Sequence, residues 1–166
     1  DADTDDGHYT TIEIGQGARV YIGPSANFGA DSPTITQSGG SLLCDTGTFV
    51  GATITILGGS CELLKGASST TILKVFNPGV CFYSGQNPVN DVYVSGTLSF
   101  ARATGAITWS VLPDKVQLFR GARVLDPKRV VSWHATHGID LVGCGLHEVR
   151  LMLGQNITIT KLANDP

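Results

Sequence analysis

The feature that most constrains this chain is a short unit that recurs and ends on glycine. The segments are "ARVYIG" to Gly23, "SLLCDTG" to Gly47, "SCELLKG" to Gly66, "GVCFYSG" to Gly85, "SFARATG" to Gly105 and "KVQLFRG" to Gly121. Five residues before each glycine stand Ala18, Leu42, Cys61, Val80, Phe100 and Val116; three before it stand Val20, Cys44, Leu63, Phe82, Arg102 and Leu118. All are apolar except Arg102. The position between them is mixed: Arg19, Leu43, Glu62, Cys81, Ala101 and Gln117. Alternation with a period of two, repeated once per unit, is the signature of a strand with one buried face.

A second strand precedes each unit: "TTIEI", "PTITQ", "ATITIL", "TTILKV", "DVYVS" and "ITWSV". Short turns such as "SGG", "LGG" and "NPG" join the two. Strand lengths hold while loop lengths vary, as expected of a solenoid that takes its insertions at the corners. The fold expected is an all-β parallel β-helix of about six to seven coils. At about 4.8 Å per coil this makes a rod roughly 30 Å long. Residues 1–10 read as an acidic lead-in, 11–125 as the coils, and 126–166 as a last coil and an irregular C-terminal cap. An antiparallel β-sandwich also suits strands at this density, but pattern, spacing and terminal glycine recur together and favour the solenoid. Arg102 implies a coil out of register or a strand facing a partner chain.

Composition narrows the function classes. Charged residues are 15% against 42% hydrophobic, and glycine numbers 21, a bias towards a turn-rich β protein rather than disorder. Net charge is −3 with no basic run, which argues against nucleic acid. No apolar run approaches a membrane-spanning length, so no membrane insertion is expected, and the N-terminus lacks the basic and apolar regions of a signal peptide. Cys44, Cys61, Cys81 and Cys144 form no CxxC pair and read as free buried thiols assembled in a reducing compartment. Cys44 and Cys61 fall at inward positions as small core fillers. No nucleophile elbow, phosphate loop or dinucleotide fingerprint is present, and no cofactor is expected.

The six glycine-ended units between about residues 10 and 125, with their glycines, threonines and free cysteines, resemble the β-helix regions of bacteriophage tailspikes and tail fibres. That resemblance implies a homotrimer in the virion tail, assembled in the host cytoplasm, which binds or cleaves host surface polysaccharide.

Candidate sites follow from residue type and position. Tyr21, Tyr83 and Phe119 each stand two residues before a unit glycine, on the expected outer face; with Trp133 they are the candidate glycan platforms, since aromatic rings meet the apolar face of a pyranose. Trp109 and Tyr93 are further aromatics of this kind. The same stripe would serve as a subunit interface. Glycan cleavage needs two facing carboxylates; Asp45 and Glu62, on adjacent units but in different rows, are the candidates, and the balance leans against an enzyme. His134, His137 and Asp140 in "SWHATHGID" are the candidate metal ligands, but i and i+3 share a face only on a helix, so no metal site is expected. Asp1, Asp3 and Asp5 begin an apparent calcium loop, yet no single register supplies its ligands, glycine and closing glutamate together. Thr34/Thr36 and Thr53/Thr55 would stack as a hydroxyl ladder of the ice-binding kind, ending after two coils; threonine as an outward strand former is the favoured explanation.

Overall fold

The computed structural model describes residues 11–26, 33–45, 52–64, 72–85, 91–109, 115–133, 138–154 and 157–162. The chain advances as paired strands: β1 (Thr11–Ile14) and β2 (Arg19–Ile22), β3 (Thr34–Gln37) and β4 (Ser41–Cys44), β5 (Thr53–Ile56) and β6 (Ser60–Leu63), β7 (Ile72–Val75) and β8 (Val80–Tyr83). Then come β9 (Asp91–Val94), β10 (Thr97–Ser99) and β11 (Ile107–Trp109), followed by β12 (Lys115–Leu118), β13 (Arg123–Leu125) and β14 (Val131–Trp133). β15 (Ile139–Val142), a 3-10 turn at Leu146–Glu148, β16 (Arg150–Met152) and β17 (Ile159–Leu162) complete the series. Sheet A stacks β1-β3-β5-β7-β9-β12-β15-β17, sheet B stacks β2-β4-β6-β8-β10-β13-β16, and β11 pairs with β14 in a third sheet. Every described pairing is parallel. This is the parallel β-helix expected from the repeat, not a sandwich.

In-register stacking turns alternation into rows. In sheet A, Ile12, Ile35, Ile54, Leu73 and Val92 lie one above another, and in sheet B Val20, Leu42, Cys61, Cys81 and Leu98 do the same. From the second coil onward these residues are at most 2% exposed. Burying a branched aliphatic side chain contributes about 1.5–3 kcal/mol, so the rows supply most of the driving force. A parallel solenoid is built almost wholly from contacts distant in sequence.

The corner between the two sheets is a column of glycines. Gly40, Gly59, Gly79 and Gly96 accept from Ser60, Val80, Thr97 and Arg123 at 3.1, 3.0, 3.0 and 2.8 Å, each bond joining one coil to the next. Gly59 has φ 73°, and a Cβ there would run into the carbonyl oxygen of Gly40. Glycine is required on both counts. Gln37 occupies an inward position between Ile14 and Ile56; its amide nitrogen donates to Gly40 and Ser60 carbonyls, both at 3.1 Å, tying the corner from inside.

Two expectations are corrected. First, "GVCFYSG" is one residue out of step with its neighbours. β8 aligns Cys61 with Cys81 and Leu63 with Tyr83, so Cys81 and Tyr83 are the inward residues, each 0% exposed, and Val80 and Phe82 face out. A one-residue slip inverts every side chain. Secondly, the last unit is not a sheet A–sheet B pair: "ITW" enters the third sheet, while Lys115–Leu118 joins sheet A beside β9. Arg102 lies after β10 rather than within a strand, so its polarity breaks no inward row. Beyond residue 126 the chain still contributes strands to both sheets through Leu162.

Candidate functional site

The outer surface of sheet B carries a row in which Tyr21, Leu43, Glu62 and Phe82 stack on successive coils. Alternation sends them outward because their neighbours Val20, Leu42, Cys61 and Cys81 fill the core. Tyr21 is 62% exposed and Leu43 37%. Arg102 folds back from the end of β10 over this row. Its guanidinium carbon sits 3.8 Å from the centre of the Phe82 ring, and it forms an ion pair with the Glu62 carboxylate. A planar cation on an aromatic face is favourable, and the ion pair fixes the arginine in place. Together with Arg19, Ser41 and Ser60 these residues line a shallow groove of about 340 Å³. It offers an aromatic face, an aliphatic floor, two guanidinia, a carboxylate and two hydroxyls: the mixture that pyranose rings engage through stacking and hydrogen bonds.

Of the sequence-derived glycan candidates, Tyr21 lies in this groove. Tyr83 does not: it is fully buried, edge-on to Phe100 at 6.1 Å and 67°, because the register of β8 turns it inward. Phe119 is half-buried on the other side of the molecule. There, with Thr55, Ile72, Lys74, Phe76 and Tyr93, it lines a second groove of about 450 Å³ on sheet A. The Lys74 amine stands 5.9 Å from the centre of the Tyr93 ring. Trp133 aligns with Trp109 along the backbone of the third sheet; its side chain lies outside the described residues.

The carboxylate candidates occupy different positions on adjacent coils. Glu62 is level with Leu43 and Phe82 and is engaged by Arg102, whereas Asp45 follows the end of β4. Asp140 aligns with Gln117 and Thr160 on sheet A; His134 and His137 lie outside the described residues, as do Asp1, Asp3 and Asp5. Among the described residues no group of three or more His, Cys, Asp or Glu could hold a metal. The threonine ladder is in register, Thr34 on Thr53 and Thr36 on Thr55. Thr11 extends the Thr34 column by one coil while Glu13 closes the Thr36 column, and Ile72 and Lys74 bound the ladder on the other side.

All four cysteines are free and buried. Leu42 aligns with Cys61 and Cys44 with Leu63, the interleaved filling expected of them. The Cys61 thiol is held well above its ordinary pKa by its hydrogen bond with Cys81 and by burial, which keeps it a neutral core group.

Several groups in and around the candidate site escape the sequence pattern. Phe82 stands at an expected inward position, Arg102 is the polar break in that row, and Arg123 and Arg150, level with each other on the outer face of sheet B, lie after the last glycine-ended unit. Two acids near them are already engaged. Asp126 is buried and accepts from the Val130 and Val131 amides, both at 3.0 Å. Glu148 accepts from the Gly145 amide at 2.7 Å and from Arg120 at 2.7 Å. The Gly145 bond, aided by the Arg120 charge, holds the Glu148 carboxyl below the usual range. No protein-family model, curated protein or solved structure matches the chain.

Proposed function

We propose that this chain is the structural and receptor-recognition part of a bacteriophage tailspike or tail fibre. In this reading the β-helix serves as a stiff homotrimeric shaft in the virion tail, assembled in the host cytoplasm, and the outer face of sheet B binds host surface glycan. The observation that carries the binding role is the groove around Tyr21, Glu62, Phe82 and Arg102. It combines an exposed ring with fixed polar groups on a rigid sheet, so little ordering cost accompanies binding. The four buried thiols suit assembly in a reducing compartment. Recognition without cleavage is favoured because Glu62 is paired with an arginine rather than with a second carboxylate.

A glycan array probed with the native protein tests the binding role, together with a reducing-sugar assay on every glycan retained. Retention of a glycan subset that Tyr21→Ala fails to retain, with no reducing ends released, is the expected result. Retention of no glycan would overturn the binding role, and release of reducing ends would make the protein an enzyme. Light scattering at high protein concentration tests the trimer, which a clean monomer would refute.

A further inference from the structure

Arg123 and Arg150 are exposed and in register on adjacent strands of sheet B. Adjacent parallel strands lie about 4.8 Å apart, and like charges placed directly opposite destabilise a sheet. No carboxylate among the described residues forms an ion pair with either arginine. The acids closest to them in sequence are committed elsewhere: Asp126 to backbone amides in the interior and Glu148 to Gly145 and Arg120. The stacked charges therefore have no ion-pair partner among the described residues to offset their repulsion. Beside it, in the next outward row, Leu125 lies level with Met152, which is 42% exposed. Guanidinium forks flanked by exposed aliphatic surface fit a ligand that carries carboxylates on an otherwise apolar-faced ring.

The same surface continues towards the groove. Arg19 shares the outward row of Arg123 and Arg150 at the opposite end of sheet B, and Arg102 lies between. Six coil steps of about 4.8 Å put the two ends of this track roughly 29 Å apart. Four of the chain's arginines thus gather on one face of a molecule whose net charge is −3. A densely charged polyanion would be repelled by the remainder; a chain bearing sparse carboxylates would not.

We infer that sheet B binds an acidic, carboxylate-bearing polysaccharide laid along the solenoid axis, with Arg123 and Arg150 clamping its carboxylates. This rests on the glycan reading above and adds the ligand's charge class. The experiment presents the native protein with matched glycan pairs, each uronic or sialic acid chain beside its carboxyl-reduced form. Single-stranded DNA and phosphatidylserine vesicles serve as competitors. The acidic members should bind at least about tenfold more tightly than their reduced partners. Arg123→Gln/Arg150→Gln should abolish that difference while leaving binding of the reduced forms unchanged, and Arg123→Lys should retain part of it. The preference should also weaken steeply with salt. A melting temperature in the variants that is unchanged, or raised by relief of the stacked like charges, shows that the fold is intact. Equal binding of acidic and reduced forms, or an unaffected double variant, overturns the inference and leaves the glycan reading standing. Tighter binding of DNA or vesicles overturns it too. Failure of every glycan to bind overturns both.

Discussion

The two outer faces of this solenoid are made under the same folding rule and differ in content. On both, strands of three or four residues alternate, and the inward half of each strand is fixed by the core. On sheet A the outward half is threonine on two coils, Thr34 and Thr36 then Thr53 and Thr55, followed by Ile72, Lys74, Tyr93 and Gln117, with a groove where Lys74 meets Tyr93 beside Phe76 and Phe119. On sheet B it holds an exposed tyrosine, a phenylalanine covered by an arginine that pairs with Glu62, and two stacked arginines that form no ion pair among the described residues. The core makes equal demands of both sheets and leaves the outward residues free to differ between the two faces. The threonines of β3 and β5 on sheet A show what outward positions look like when chosen for strand formation. Sheet B departs from that background, and its departures mark the candidate site.

The sharpest way to break the comparison is a pair of tyrosines on one sheet. Tyr83→Ala removes a fully buried ring packed on Phe100 and should cost about 3–5 kcal/mol in denaturant unfolding. Tyr21→Ala, on the opposite side of the same sheet, should leave stability within about 0.5 kcal/mol and reduce glycan binding instead. Comparable stability losses would mean that Tyr21 serves packing. A corner change should damage both faces alike: Gly59→Ala, with φ 73° and the Gly40 carbonyl in the way, should cost about 2–3 kcal/mol, read as a lowered unfolding midpoint. Arg102→Ala should cost about 0.2–1 kcal/mol, as expected of a half-exposed ion pair, and open the groove over Phe82 to solvent.

The smallest effect is expected at Glu148. Its carboxyl titrates below the usual range in the folded protein, so it contributes stability that is present above the unfolded-state value of about 4.3. That contribution is lost as pH falls through the lower folded value. The melting-temperature gap between the native protein and Glu148→Gln should therefore be open at neutral pH and close on acidification. A gap independent of pH would show that the charge has no part in it.

Much of the fold is legible in the sequence because a solenoid repeats its instructions. Leu42 and Cys44, Cys61 and Leu63 stand inward as the alternation requires. What fails is the choice of ruler. The glycine after each strand belongs to a loop whose length is free, so Gly85 arrives one residue early relative to the strand and inverts Tyr83. The corner glycine before the strand is fixed by stacking. Gly40, Gly59, Gly79 and Gly96 each precede the first inward residue by two: Leu42, Cys61, Cys81 and Leu98. Counting from that column would have placed Phe82 outward. The arginine pair was illegible for another reason. Its strands come after the third sheet enters, where the coil gains a side and the two-strand unit no longer describes it.

The central claim is that recognition belongs to sheet B and not to sheet A. It is tested most directly by measuring the affinity of one retained glycan for two variants, Tyr21→Ala in the sheet B groove and Tyr93→Ala in the sheet A groove. A loss of at least about tenfold in Tyr21→Ala, with Tyr93→Ala unchanged, is the result expected here. A loss confined to Tyr93→Ala would place recognition on the opposite face and contradict the account.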